Sequence, residues 1–367
     1  AVTEGVLKVI APGARCLIQD LGRPGFQRFG VSVSGAMDAD ALTVGNRLVG
    51  NPPGAAAIEV TLGGAEFEFL QDAVFALAGA DFASRLDGLP VPGWQSFAGR
   101  AGARLKLGPA VTGARGYVCL AGGIATAPVL GSRSTHVASR LGGLDGRPLA
   151  AGDDLPAGRP GPDAAAGLKF PDALVPRYTG ELLVYVIPGP QQDTFSAAGQ
   201  AALYDSHYTV TEKSDRQGIR LEGPVIESRD GRYDIVSDAV VAGSVQVPGD
   251  GQPIVLMADR QTTGGYAKIA VVRSVDLPAL AQAMPGSEVR FVPTTVSEAQ
   301  MAAKERRAAL RETPLELAPD AHDIPMSVAG AALRIRIAAA AGEEARGTLA
   351  LTMDGGPLLI ARVERRA

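Results

Sequence analysis

Glycine constrains this chain more than any other residue. Forty-six of its 367 residues are glycine, against about 7% in average usage. They follow no Gly-X-Y period and form no low-complexity tract. They punctuate short apolar runs instead. Glycine takes positive φ without a Cβ penalty, so it belongs in tight turns. A well-mixed apolar chain with this many turn residues reads as many short strands. Runs at residues 74–78, 117–120, 182–187, 253–258 and 269–272 have strand length. Their β-branched content and Gly/Pro borders favour buried strands over helix.

A chain of this length exceeds one ordinary core, so two domains and a smaller appendage are expected. Residues 157–173 carry Gly158, Pro160, Gly161 and Pro162 and read as the linker. A second break falls at residues 314–325. The expected units are therefore 1–165, 174–293 and 294–367. Leu7-Lys8-Val9-Ile10-Ala11-Pro12-Gly13 and Leu183-Val184-Tyr185-Val186-Ile187-Pro188-Gly189 both read as a first strand ending at Pro-Gly. This faint repeat suggests two related β domains.

Helices are few. Residues 38–49 form one that Gly50-Asn51-Pro52 stops. Residues 193–203 form another, capped by Asp193, and 276–284 a short third. Residues 297–311 give the clearest, with Ser297 and Gln300 in a capping-box pattern. After it, residues 333–337 alternate like a half-exposed strand. Residues 348–352 and 358–363 flank Met353-Asp354-Gly355-Gly356, a hairpin signal.

Several function classes drop out. Net charge of −4 gives no basic footprint for nucleic acid. No window offers a membrane span, and no signal-peptide pattern opens the chain at Ala1. Cys16 and Cys119 are too few for a disulfide scaffold and suit a reducing cytoplasm. His136, His207 and His322 are scattered, so no metal site is expected. Gly-x-Ser-x-Gly is absent, which disfavours a serine hydrolase. Neither a P-loop nor a Gly-x-Gly-x-x-Gly fingerprint occurs.

The most chemical stretch is Pro248 to Tyr266. A Pro-Gly-Asp-Gly turn leads into a short strand. Asp259, Arg260, Gln261, Thr262 and Thr263 follow at its end, then Gly264 and Gly265. An acid, a base, an amide and hydroxyls on a strand end suit a small-molecule site, and the glycines let backbone approach a ligand. The plain alternative is a polar loop with an internal Asp259–Arg260 pair. Asp20 and Arg23 offer charge-assisted hydrogen bonds to a substrate or form a loop-stabilising ion pair. Gly131, Ser132, Arg133 and Ser134 suit an anion or phosphate or form an ordinary turn. Ser214, Asp215 and Arg216 make a further polar patch. Ser34 precedes Gly35, and Asp38 reads as a helix cap.

Eight pieces in order carry a resemblance. They are residues 18–25 (Ile-Gln-Asp-Leu-Gly-Arg-Pro-Gly), 34–38 (Ser-Gly-Ala-Met-Asp), 77–81 (Leu-Ala-Gly-Ala-Asp), 121–123 (Ala-Gly-Gly), 130–135 (Leu-Gly-Ser-Arg-Ser-Thr), 214–216 (Ser-Asp-Arg), 246–253 (Gln-Val-Pro-Gly-Asp-Gly-Gln-Pro) and the run through Gly265. The chain resembles the family of the C component of bacterial 5-oxoprolinase, also labelled allophanate hydrolase subunit 2 or Kip antagonist. It is similar as well to part of the carboxyltransferase domain of urea carboxylase.

The resemblance implies a mainly β fold of two tandem cyclophilin-like β-barrel domains, with a few short helices and a C-terminal β extension. It implies ATP-dependent opening of 5-oxo-L-proline to L-glutamate, with ATP, with or without magnesium, as co-substrate. The partner it implies is the B component of oxoprolinase, a Kip inhibitor family protein, together with a third oxoprolinase subunit. On this reading Asp259, Arg260, Gln261 and Thr263 act on the lactam. Asp20, Arg23, Ser34, Asp215, Arg216, Gly264 and Gly265 bind substrate, and Gly131, Ser132, Arg133 and Ser134 hold the phosphate. The alternatives are a carboxyltransferase component and a non-enzymatic antagonist that binds a Kip-inhibitor-like protein. The carboxyltransferase would be served by carboxybiotin on a separate carrier, since no Ala-Met-Lys-Met attachment motif occurs here.

Overall fold

The computed structural model describes residues 5–318 and, beyond them, four strands between residues 323 and 363; side chains are described through residue 318. The first half runs through β1 (Gly5–Pro12), β2 (Arg15–Gln19), α1 (Ala39–Leu48), β3 (Ala57–Thr61), β4 (Ala65–Phe69) and β5 (Ala73–Asp81). It continues with β6 (Arg85–Leu86), β7 (Leu89–Pro90), β8 (Gln95–Gly99), β9 (Arg104–Lys106), β10 (Thr112–Leu120), β11 (Asp154–Pro156) and β12 (Leu168–Lys169). Two sheets result, in the orders β11-β1-β4-β9-β6-β7 and β2-β3-β10-β5-β8-β12. Leu7, Val9, Ile18, Ile58, Val60, Phe67, Phe75 and Val118 share one core.

The opposite face of the second sheet is covered by α1, whose Ala41, Leu42 and Val44 pack with Ala76, Ala78, Tyr117 and Cys119. The end of strand β10 is therefore buried on both faces, which is why residues 117–120 form an unbroken apolar run rather than an alternating one. Gly45 sits mid-helix, where glycine weakens helix. A Cβ there would lie 2.7 Å from Cys119 Sγ, so the helix needs that bare position to approach the sheet. Burial pushes the Cys16 thiol up to about 12 and the Cys119 thiol up as well, so neither is a ready nucleophile.

The second half runs β13 (Glu181–Pro188), α2 (Ala197–Asp205), β14 (Tyr208–Val210), β15 (Gly218–Glu222), β16 (Asp234–Ala239), β17 (Ser244–Gln246), β18 (Ile254–Leu256), β19 (Thr263–Tyr266), β20 (Lys268–Val272), α3 (Leu277–Gln282) and β21 (Glu288–Pro293). Seven of these strands close a barrel, β13-β20-β17-β18-β15-β14-β21. Its closing pair, β13 with β21, is parallel. Val184, Val186, Ile219, Val245, Val255, Ile269, Val289 and Phe291 fill it. Strands β16 and β19 form a separate two-stranded ribbon. The mainly β fold expected from the glycine-bounded runs is present.

The faint repeat has a physical basis. Both β1 and β13 open their halves and end at Pro-Gly. A Cβ at Gly13 would sit 2.3 Å from Gly63 O, and one at Gly189 would sit 2.2 Å from Lys268 O. In each half a neighbouring backbone presses on the residue that leaves the first strand, and only glycine leaves room.

Two helix starts differ from expectation. Helix α2 begins after Asp193, which lies in a 3-10 turn (Gln192–Thr194); Ser196 is its cap and accepts from Gly199 N–H. Helix α4 (Val296–Glu312) is capped two residues earlier than the Ser297/Gln300 pattern. Thr295 accepts from Glu298 N–H, and Glu298 accepts from Thr295 N–H. Overlapping Ser/Thr and Glu/Gln spacings make both frames readable, and the Thr295/Glu298 frame forms both reciprocal bonds. Helix α4 packs on α1 of the first half: Arg306 Nε meets Asp40 Oδ2 at 2.7 Å, and Arg47 Nη2 donates to Thr313 O at 2.7 Å. Strand β22 (Glu316–Leu317) then pairs with β12, extending the second sheet. So the chain crosses to the barrel and comes back.

The last strands, β23 (Asp323–Val328), β24 (Ala331–Ala338), β25 (Gly347–Met353) and β26 (Leu359–Val363), form an antiparallel sheet in sequence order. The strand pair expected around residues 353–356 is present as β25 and β26. Residues 354–356 of the turn lie outside the described residues.

Candidate functional site

The two halves meet through buried charge. Arg216, in the loop before β15, reaches across to the first half. Its Nε and Nη2 donate to Asp259 Oδ2 and Oδ1 at 2.8 and 2.9 Å, a bidentate pair. Its Nη1 donates to Glu59 Oε1 on β3, and its Nη2 lies 2.6 Å from Gly35 O. Asp259, just past β18, also accepts from Ser34 Oγ at 2.7 Å. Glu59 is further held by Met37 N–H at 2.8 Å and by the Tyr117 hydroxyl at 2.7 Å. Side chains of Arg216, Glu59 and Asp259 are 5%, 0% and 10% exposed.

Electrostatics follow from this packing. Burial pulls the Asp259 carboxyl upward, but Arg216 and Ser34 outweigh it and leave it below the ordinary carboxylate range. Burial likewise works against the Arg216 cation, and Glu59 and Asp259 outweigh it and raise its pKa. Asp259 is thus a fixed, ionised acceptor and not a proton donor. Ser34 holds φ at +55°, a region costly for any residue with a Cβ. Its hydroxyl on Asp259 is what that conformation achieves.

A second group lies beside it. Asp20 Oδ1 accepts from Ser132 Oγ at 2.6 Å, Ser134 Oγ at 2.5 Å and Gly22 N–H at 2.7 Å, and Oδ2 accepts from Arg133 N–H at 2.6 Å. One carboxylate thus shapes both loops, and the serine hydroxyls are committed to it. The Asp20–Arg23 pair weighed from sequence is replaced by a different bond: Arg23 donates to Ser134 O. Arg23 is 1% exposed, and its Nε and Nη1 have no partner. Arg133 donates from Nε to Thr126 O at 2.7 Å and is half-buried, leaving its outer nitrogens to face the loop's surroundings. Gly131 has open space around it. His136 is buried, its backbone paired with Leu141, and its Nδ1 is unpartnered.

Other expected site residues sit apart. Arg260 turns back, its Nη1 donating to Met257 O at 3.2 Å. The internal Asp259–Arg260 pair therefore does not form; Arg216 takes its place. Gln261 donates to Gln246 Oε1 at 3.3 Å. Thr263, Gly264 and Gly265 are in β19 of the ribbon. Asp215 accepts from Gln217 and Gly218 N–H and makes a turn, so of the Ser214–Asp215–Arg216 patch only Arg216 enters the junction.

Sequence reasoning missed Glu59, Tyr117 and Gln282. Glu59 left one signal, a lone acid inside the apolar strand Ala57–Thr61. Gln282, on α3, donates to Asp38 Oδ2 at 2.8 Å while its Oε1 accepts from Ala114 and Arg115 N–H at 3.0 and 2.9 Å. Asp38 is the α1 cap expected from sequence, accepting from Ala41 N–H. It is also a junction residue, and burial pushes its carboxyl up to about 6 from 3.8.

That shift predicts a pH signature. The folded state takes up this proton first on acidification. The group's contribution is fully present below the unfolded value and is lost as pH rises through about 6. Linkage makes the difference on the order of 3 kcal/mol at most. Denaturant unfolding of wild type and Asp38→Asn should show wild type gaining relative stability from about pH 7 down to about pH 4.5. A stability difference that stays constant with pH would contradict an elevated Asp38.

Two β units joined by a buried polar knot define a mainly β protein. The chain belongs to the carboxyltransferase domain, subdomain A and B family, whose model matches residues 29–293. It is 40% identical over 309 residues to the C component of 5-oxoprolinase from Escherichia coli, covering 82% of this chain and 96% of that protein. It is 31% identical over 321 residues to urea amidolyase of Saccharomyces cerevisiae, covering 83% of this chain but 17% of that protein. The crystal structure of Kluyveromyces lactis urea carboxylase superposes with a TM-score of 0.80 at 26% identity, covering 96% of this chain and 34% of that one. Among the described residues no helix is long and apolar enough to cross a membrane.

Proposed function

We propose that this chain is a subunit of a cytoplasmic, ATP-dependent 5-oxoprolinase that opens 5-oxo-L-proline to L-glutamate. It would act together with the B component, a Kip inhibitor family protein, and a third subunit. The observation that carries the reading is the likeness to the C component of 5-oxoprolinase over nearly that protein's whole length. The junction chemistry is compatible. A lactam is a stable amide; phosphorylating its oxygen gives a better leaving group and a more reactive carbon. Such a reaction needs placed donors and acceptors more than a covalent nucleophile.

Asp259, ionised and fixed by Arg216, suits the lactam N–H as an acceptor. Arg133, with its outer nitrogens uncommitted, suits phosphate oxygens. Ser132 and Ser134 support this arm indirectly, since their hydroxyls hold Asp20 and so shape the loop. A carboxyltransferase reading is favoured by one observation, the superposition on urea carboxylase across 96% of the chain. There Asp259 would hold a urea-like N–H, and a separate biotinylated protein would deliver the carboxyl group.

The test is to co-express the chain with its partner subunits and follow 5-oxoproline-dependent ATP hydrolysis and glutamate formation together. Coupled activity that vanishes when this chain is omitted supports the first reading. Activity that requires a biotinylated protein supports the second. A tight complex with no turnover under either condition leaves the non-enzymatic antagonist.

A further inference from the structure

Under the β16–β19 ribbon lies a second polar cluster that the junction does not use. Gln246 and Lys268 are direct cross-strand partners on β17 and β20, so their side chains stand on the same face. Both are 2% exposed. A buried ammonium is costly unless its donors are met. Lys268 Nζ has one acceptor within hydrogen-bonding distance among the described residues, Asp238 Oδ2 at 3.0 Å, and that carboxylate is half exposed on the ribbon.

The amides around it are loosely engaged. Gln261 Nε2 reaches Gln246 Oε1 at 3.3 Å, Gln246 Nε2 reaches Tyr266 O at 3.3 Å, and Gln191 Nε2 reaches Asp238 Oδ2 at 3.4 Å. The bidentate bonds at Arg216 are shorter by about half an ångström, so these donors are poorly satisfied. Gly264 lets the two amides lie close to its backbone: a Cβ there would lie 2.5 Å from Gln246 Nε2 and 3.2 Å from Gln261 Nε2. Lys268 and Gln191 Nε2 share Asp238, while Gln261 and Gln246 Nε2 make long bonds to Gln246 Oε1 and Tyr266 O, so the ammonium has one acceptor among the described residues for its three donors.

We propose that Lys268, Gln246 and Gln261 form a binding site for a small oxyanion, phosphate or carboxylate. Asp238 occupies the ammonium in the unliganded protein, and an incoming anion replaces it. The ribbon residue then turns to solvent, where its carboxylate costs little to release. This site goes beyond the lactam reading and does not depend on it, because its test reads binding and not turnover.

Titration calorimetry on the full chain, with sodium phosphate and sodium acetate as separate probes, tests the idea. Wild type is expected to bind one of the two, and which one identifies the anion. Lys268→Met, which keeps the volume, is expected to weaken that binding at least about tenfold. Asp238→Asn removes the competing acceptor at a half-exposed position and is expected to tighten binding several-fold with the fold unchanged. Binding in Lys268→Met within twofold of wild type, no tightening in Asp238→Asn, or no heat from either probe up to tens of millimolar would each overturn the site.

Discussion

Replacing Arg216 with methionine is expected to cost the folded protein about 3–5 kcal/mol. The reason is asymmetric. The substitution is nearly neutral in volume, but it strips the common partner from two buried carboxylates, Glu59 and Asp259. Each would keep some donors, namely Met37 N–H and the Tyr117 hydroxyl for Glu59, and Ser34 for Asp259. Neither would keep a hydrogen-bonded cation. Because Glu59 belongs to the first half and Arg216 to the second, the loss falls on the junction. Arg216→Lys is expected to recover only part of it, since an ammonium cannot reproduce the planar fork that meets Asp259 twice and Glu59 once. Urea denaturation with fluorescence and circular dichroism read together would check this. A loss under about 1 kcal/mol for the methionine variant would mean that the pair's desolvation nearly cancels its attraction. The knot would then be no anchor.

Asp259→Asn is expected to lower turnover of the assembled enzyme by about two to four orders of magnitude. The amide keeps the shape but loses the charge, and one of its two positions becomes a donor. That donor must face either Arg216 or Ser34, both of which already donate there. The acceptor is then misplaced as well as weakened. Asp259→Ala is a poorer probe, because it removes half of the Arg216 anchor and mixes a folding defect into the rate. Binding of the partner subunits and the melting temperature of the asparagine variant separate the two effects. Near-wild-type turnover with a correct fold would remove Asp259 from the chemistry and leave it a structural acid.

Much of the architecture was legible because it rests on local chemistry. Glycine frequency and Gly/Pro borders announce short strands. The run at residues 117–120 is uninterrupted because α1 and the core bury β10 on both sides. Asp38 announces a cap, and the two Pro-Gly strand ends mark the halves. Less local features went astray. The capping frame of α4 has two readings in sequence, and the helix starts at the one with Thr295 and Glu298. The α2 cap moved from Asp193 to Ser196 because a 3-10 turn intervenes.

The site was legible by residue type and illegible by partnership. Asp259, Arg216, Ser34 and Asp20, singled out in sequence as polar candidates, are all buried and hydrogen-bonded. Which acid meets which base was settled by the fold: Asp259 leaves its neighbour Arg260 for Arg216, 43 positions away, and Asp20 leaves Arg23 for two serines more than a hundred positions away. Glu59, Gln282 and Lys268 gave almost no signal, because a lone polar residue in an apolar strand or short helix looks the same whether it is tolerated or used. What the sequence alone determined is the set of turns, strands and caps, since those energies act within a few residues. The pairing of charges across the junction was decided only by tertiary structure, because a buried ion takes whichever counter-charge the packed chain brings within reach once water has been excluded.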